Sequence, residues 1–213
     1  MQHKLLKGRI EISASIYNYP QTNMNSNVYV LKWYGPFHNS QEVIEWENKE
    51  IGNGKTYLYI FKGKKSYKHK FSYYCGQAFK QSAGKRMTNK RHHINDVKSR
   101  PSELKIWVAK FANLNRPRKV DVNIAEKLIT SVISQVIITD ESAVLNQTNK
   151  LRPRKHIYLI NEWYYKNGDP TKQYREGTIC KMLPDVLICY PDSDEKRDYI
   201  WGSKCIRYIN ELK

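Results

Sequence analysis

Two runs, "YLYIFKG" (57–63) and "YYCGQAFKQSAGKRMTNKRHH" (73–93), gather four tyrosines, Arg86, His92 and His93 into a short span. A hydrophobic core has no use for so many phenol hydroxyls beside a guanidinium. Phosphodiester hydrolysis does. It needs an activated water, neutralisation of the charge that builds on the phosphorane-like transition state, and help for the leaving alkoxide. A guanidinium fork matches phosphate oxygens, and phenols can hold water or phosphate. The plainer alternative is that Tyr57, Tyr59, Tyr73 and Tyr74 are strand aromatics. Strand alternation puts Tyr57 and Tyr59 on one face and separates Tyr73 from Tyr74, so at least two of the four are expected to pack.

The elements that must carry these residues are short. Residues 56–62 and 70–76 are aromatic runs bounded by glycine and lysine clusters, which predicts a β-hairpin with a basic loop. Residues 84–97 predict a helix. Met87, Ile94 and Val97 would form its buried side, and Arg86, Lys90 and His93, at i, i+4 and i+7, would share another side. A third strand is expected over 103–111. A helix is expected over 121–137, with an Ile124, Leu128, Val132 stripe. The order is β-β-α-β-α. Upstream, 27–34 alternates like a strand, and a short helix capped by Asn39 or Ser40 follows. Downstream of 149–155, short strand-like runs separated by turns read as a small β-rich module, weakly like an SH3- or Tudor-type barrel. Its Trp163, Tyr164, Tyr165, Tyr174 and Trp201 could form a core of its own. Three segments follow: an N-terminal extension of strand plus short helix (1–53), a central domain (54–152) and the β-rich module (153–213).

The central pattern resembles the GIY-YIG nuclease family. "YLY" (57–59) stands where that family has its first tripeptide and "YCG" (74–76) where it has its second. "GKRM" supplies Arg86 on the following helix, "IAEKLI" supplies Glu126 on a later one, and "LNQT" supplies Asn146, a late asparagine. The resemblance covers roughly residues 55–150 and rests on the order of five features, since each tripeptide alone is common. Tyr57 replaces the first glycine and Cys75 an isoleucine. The loop between Gly76 and Arg86 is slightly longer than usual. Lys90 stands one helical turn after the arginine, where members often have His or Tyr, and His92 and His93 come a little later.

The resemblance implies an α+β fold: a small antiparallel or mixed sheet flanked by helices. It implies one Mg²⁺ per active site, replaceable by Mn²⁺, held by the lone carboxylate of Glu126. One carboxylate suits an ion that keeps several waters and borrows phosphate oxygens. Tyr59 would be general base or hydrogen-bond partner of the attacking water, Tyr74 would position water or phosphate, and Arg86 would bind the scissile phosphate. Lys90 and His93 are candidates for the auxiliary catalytic role. A phenol is a poor base at its ordinary pKa, so neighbouring cations would have to lower Tyr59. Glu126 has a second reading, because Asn123 and Glu126 stand at capping-box spacing. Ile129 and Ile133 nevertheless put the carboxylate at the edge of an apolar side.

Charge points to the partner. The formal net charge is +17 and the pI about 9.6. Residues 62–118 hold sixteen Lys and Arg against two acids, Asp96 and Glu103, whereas 153–213 are nearly balanced. Such a balance suits a polyanion. Lys62, Lys64, Lys65, Lys68, Lys70, Lys85, Arg91, Arg116 and Arg118 are the expected contacts to double-stranded DNA, giving affinity that falls with salt. His69 is expected at the surface of the hairpin loop. No convincing basic amphipathic helix suggests a membrane partner. The first residues have no continuous apolar run, so a cytoplasmic protein is expected. Cys75, Cys180, Cys189 and Cys205 form no C-x-x-C pair and are expected as reduced thiols. The leading expectation is a type II restriction endonuclease acting as a homodimer on a palindromic site. The alternatives are a homing- or repair-type nuclease of the same family, or a nucleic-acid-binding protein without catalysis.

Overall fold

The computed structural model describes residues 26–49, 55–64, 71–97, 103–136, 156–170, 183, 186–189, 197–201 and 206–210. The loop residues Lys65, Lys68, His69 and Lys70, the late Asn146, and Tyr174, Cys180 and Cys205 lie outside them. The fold is α+β. Its elements are β1 (Ser26–Phe37), α1 (Ser40–Asn48), β2 (Leu58–Lys64), β3 (Phe71–Gln77), α2 (Ala83–Met87), a 3-10 turn (His93–Val97), β4 (Lys105–Phe111), α3 (Lys119–Val136), β5 (His156–Tyr164), β6 (Val186–Cys189), β7 (Arg197–Trp201) and β8 (Ile206–Asn210).

All eight strands form one mixed sheet in the order β3-β2-β4-β1-β5-β6-β7-β8, with β3 at one edge. The hairpin sits where the aromatic runs place it, and Tyr59 lies opposite Gly76 and Phe61 opposite Tyr74. Every neighbouring pair is antiparallel except β1 and β5, which run parallel from Ser26 opposite His156 to Tyr34 opposite Tyr164.

Helices cover both faces of the sheet. On one, Val122, Ala125, Leu128, Ile129 and Val132 of α3 pack with Leu31, Trp33, Leu58, Ile60, Cys75 and Trp107. On the other, Val43 and Trp46 of α1, Ala83 and Met87 of α2, and Ile94 and Val97 of the 3-10 turn pack with Phe37, Tyr59, Phe61, Ile106 and Val108. Burial on both faces explains why runs such as "YIF" and "IWVA" are continuously apolar rather than alternating.

Three sequence expectations need correction. The segment 84–97 is not one helix. α2 ends at Met87, and short polar side chains then take over the backbone. Thr88 Oγ1 donates to the Lys85 carbonyl, Asn89 Oδ1 accepts from Arg91 N–H, and Asn95 Nδ2 donates to the Asn89 and Lys90 carbonyls. Such local bonds compete with helix continuation. Arg86, Lys90 and His93 therefore share no helical face.

Nor does α3 start with Asn123 as its cap. It begins at Lys119, where the Asp121 carboxylate reaches back to Arg118 N–H at 2.9 Å, one half of a capping box. Asn123 is a helix-interior residue, so Glu126 has no capping duty.

The β-rich C-terminal segment is not a separate barrel. β5 lies against β1 in the middle of the sheet, and β6 to β8 extend the sheet from it. Trp33 donates to Asn161 Oδ1 at 2.8 Å across this junction, and the Trp33 and Trp163 rings stack at 5.5 Å. Trp163 packs into the core shared with the hairpin, and Tyr165 is exposed. The sheet runs without a break across both expected segment borders.

A chain ending at residue 152 is accordingly expected to lose the cooperative urea transition of the full chain. Far-UV circular dichroism across a urea series tests this. An independent β-rich module would instead leave the shortened chain's transition intact.

Candidate active site

Tyr59 is the centre of the arrangement. Opposite it on β3 stands Gly76, where an added Cβ would come within 2.5 Å of the Tyr59 ring and hydroxyl and 2.6 Å of the Tyr74 ring. The glycine of "YCG" is thus the floor on which both phenols lie. Tyr59 and Tyr74 stack at 6.0 Å between centroids, and Tyr74 stacks on Phe61 at 5.1 Å.

Tyr59 is 1% exposed, so its hydroxyl needs internal partners. His92 Nε2 is 2.6 Å from the hydroxyl oxygen. His92 Nδ1 accepts from Ile94 N–H at 3.1 Å, which leaves the proton of the neutral ring on Nε2. His92 therefore donates to Tyr59. Arg86 and Tyr74 also hydrogen-bond Tyr59, and the Arg86 bond favours the charged form of the phenol. Two donors occupy the lone pairs of Tyr59, and its own proton goes to Tyr74.

Arg86 is solvent-exposed on α2, and its charge acts on Tyr59, Tyr74, His92 and Glu126 alike. Its helix is placed from two sides. Ser82 caps α2 by accepting from Lys85 N–H, and Glu47 of α1 accepts from Ala83 N–H and Gly84 N–H at 3.0 Å each. Glu47 also bonds the hydroxyl of Thr56, just before β2. Gly84 lets α2 lie against α1, since a Cβ there would meet Glu47 Oε2 and Ile44 Cγ1 at 2.7 Å.

Glu126 arrives from the other face. The Cys75 thiol lies 4.0 Å from the Glu126 carbonyl oxygen, and Gln77 Nε2 donates to Glu126 Oε2 at 2.7 Å. β3 is an edge strand, so a side chain on α3 can reach the rim of the sheet and act on Tyr74 from there.

The electrostatics differ from the expectation that cations lower Tyr59. Burial dominates and holds its phenol well above the ordinary value, with the Tyr74 charge adding to this and Arg86 only opposing it. Tyr74 is raised by burial and by Glu126, while the Tyr59 hydrogen bond and Arg86 favour its ionised form. Burial raises Glu126, against Gln77, Lys127 and Arg86. Burial, then the charges of Arg86 and His93, pull His92 down to about 4, so it is neutral near pH 7.

Tyr59, Tyr74, Arg86 and Glu126 come together. His93 lies beside them, its ring 5.0 Å from Tyr74, but is exposed and engaged by Asp96 at 3.2 Å. Lys90 is exposed on the turn after α2. Lys85, Arg91 and Arg116 are exposed as a phosphate contact requires. Lys62 and Lys64 belong to the face opposite Tyr59. Lys62 lies 4.2 Å from the Phe71 ring centroid, and Lys64 pairs with Glu103 at 3.3 Å. Arg118 is held by Asp121, which also accepts from Tyr29.

Sequence reading undervalued His92 and missed Gln77 and Glu47. Gln77 had a signal: it alternates in phase with Cys75, toward the helix that carries Glu126. Glu47 had none, because the α2 amides that it holds lie 36 and 37 positions away.

The carboxylate set suits one hard cation. Among the described residues no group of three His, Cys, Asp or Glu could hold a metal ion, so a closed transition-metal cage does not fit there. Glu126 is a buried lone carboxylate whose Oε1 is engaged by no other described side chain, and a single such ligand fits Mg²⁺. No helix among the described residues is long and apolar enough to cross a membrane. Comparison of the chain with family models, curated proteins and solved structures returns no match.

Gly76→Ala is expected to destabilise the chain by about 1–3 kcal/mol through overpacking and to change the near-UV circular dichroism of the tyrosines, both read in a urea series. The His92 ring sets a pH dependence. The unfolded chain takes up a proton at 6.5 that the folded chain accepts only at about 4. This contribution to stability is present above pH 6.5 and lost as pH falls towards 4. Urea midpoints of His92→Gln are expected to fall less steeply over that window than those of the parent.

Proposed function

We propose that the protein is a Mg²⁺-dependent endodeoxyribonuclease of the GIY-YIG type, hydrolysing phosphodiester bonds of double-stranded DNA as a sequence-specific restriction enzyme. The observation that carries this reading is the convergence of two phenols, a neutral imidazole and a lone carboxylate on one exposed guanidinium, from β2, β3, the turn after α2, and α3. The element order β2-β3-α2-β4-α3 matches the β-β-α-β-α order on which the family resemblance rests, and this supports the reading.

In the proposed mechanism the planar fork of Arg86 binds and orients the scissile phosphate and offsets the charge developing on it. Tyr74 is half-buried and Tyr59 fully buried, so Tyr74 is the phenol that meets the attacking water. Tyr59 donates to the Tyr74 oxygen, which makes that oxygen the better acceptor. His92 Nε2–H keeps Tyr59 in this orientation. Glu126 would hold one Mg²⁺, which when bound supplies Lewis-acid stabilisation of phosphate oxygens and a more acidic water. A palindromic target would be read by a homodimer with one such site per strand.

The test is incubation of plasmid DNA with the protein and Mg²⁺. Discrete fragments with uniform ends are expected from the parent. Glu126→Gln is expected to slow cleavage at least ~10²-fold while leaving duplex binding in a gel shift within a few-fold of the parent. Cleavage by that variant at the parental rate would remove Glu126 from the site, and a parent that binds DNA without cutting would leave a binding protein only.

A further inference from the structure

Gln77 is the last residue of β3 and alternates in phase with Tyr73 and Cys75, which pack in the core shared with α3. Its backbone is fixed by pairing with β2. Gln77 stands opposite Leu58, and the next amide, Ala78 N–H, donates to the Tyr57 carbonyl at 2.8 Å. From there its side-chain nitrogen, Nε2, donates to Glu126 Oε2 at 2.7 Å. An ionised carboxylate only accepts, so it is the NH₂ end of the amide that faces it.

Glu126 is 7% exposed. A buried carboxylate is ordinarily paired with a cation, yet among the described residues no ion pair reaches this one. The charges of Arg86 and Lys127 act on it without contact, and the side-chain hydrogen bond it receives comes from a neutral group. The difference matters for a metal ligand. A lysine or arginine in place of Gln77 would cancel the charge that a metal ion needs. An amide holds one oxygen and leaves the charge in place.

The ion taken depends on which oxygens are free. Mg²⁺ is small, keeps several waters and binds in strict octahedral geometry, for which one carboxylate oxygen suffices. Ca²⁺ is larger, gathers about six to eight oxygens and readily takes both oxygens of one carboxylate. At Glu126 the second oxygen is occupied, and the amide hydrogens beside it repel a cation that approaches both.

We infer that Gln77 sets the cation preference of the site: by occupying Oε2 it makes Glu126 a one-oxygen ligand, which favours Mg²⁺ over Ca²⁺. The inference rests on the reading of Glu126 as the Mg²⁺ ligand. It makes Gln77 a positioning residue that acts through Glu126, on the face of the sheet opposite the phenols.

The experiment measures cation binding by the full chain at fixed pH, from the electron paramagnetic resonance signal of free Mn²⁺, with Mg²⁺ and Ca²⁺ as competitors. The parent is expected to bind Mn²⁺ at a site that Mg²⁺ displaces better than Ca²⁺ and that Glu126→Gln removes. In Gln77→Met, which keeps the length of the side chain and lacks the donor, Mg²⁺ affinity is expected to fall about 10-fold while that of Ca²⁺ holds or rises. In Gln77→Glu, which also removes the amide, Ca²⁺ is expected to gain on Mg²⁺ again. Urea midpoints show that the variants are folded. An unchanged Ca²⁺-to-Mg²⁺ ratio in both folded variants overturns the inference. So does an equal loss of both cations, since Gln77 would then only hold the side chain in place. A parent that binds no Mn²⁺, or whose site survives Glu126→Gln, overturns it as well. Plasmid cleavage separates this inference from the nuclease reading. A parent that cuts with Mg²⁺ while the ratio stays unchanged removes the role of Gln77 and leaves the nuclease. A shifted ratio in a parent that does not cut leaves the role of Gln77 and removes the nuclease.

Discussion

A phenol hydroxyl buried to 1% exposure must be hydrogen-bonded within the protein, and the site is organised around meeting that need for Tyr59. Its oxygen accepts from His92 and Arg86 and its proton goes to Tyr74. Leaving any of these bonds unmade would cost about 1–3 kcal/mol, so the partners are held in one arrangement before any ligand arrives. The Ile94 amide that bonds His92 Nδ1 extends this order into the backbone, because it selects the tautomer that donates. Gly76 is the steric half of the same constraint: only a residue without Cβ leaves room for the ring that carries the hydroxyl.

The surrounding fold positions each partner separately. Glu47, reaching from α1 to the first amides of α2, fixes the short helix that carries Arg86. The edge position of β3 lets α3, which packs on the opposite face, bring Glu126 to the rim where Gln77 meets it. A central strand in place of β3 would leave the carboxylate sealed from Tyr74. The long parallel pairing of β1 with β5 supports the sheet from the other side, and the Trp33–Asn161 bond satisfies polar groups that this junction buries.

Burial and charge oppose one another throughout the site. A net charge of +17 favours a polyanion at the surface, yet it does not make Tyr59 a strong base, because desolvation outweighs the nearby guanidinium. The phenol pair is therefore better suited to holding and polarising water than to removing a proton unaided. The same opposition keeps His92 neutral, and at Glu126 burial raises the carboxyl against Gln77, Lys127 and Arg86.

Periodicity and spacing determined most of the local elements, and the order of the motifs picked out Tyr59, Tyr74, Arg86 and Glu126, which the structure brings together. The hairpin, the strand over 103–111 and the helix with the Ile124, Leu128, Val132 stripe are local patterns, and the structure contains each. Asn39 caps α1 because its side chain bonds the Glu42 amide three residues on, a contact short enough to read from the chain. What only the tertiary structure decided lies at long range. The break after Met87 is the local exception: it depended on which of several weak short-range bonds Thr88, Asn89 and Asn95 would make. The joining of β1 to β5 depended on a pairing between segments some 130 positions apart, as the Trp33–Asn161 bond at a separation of 128 shows. Glu47 and Gln77 gained their roles only when α1 met α2 and α3 met β3. Side-chain periodicity records which way a residue faces, and it carries no information about what the fold will place in front of it.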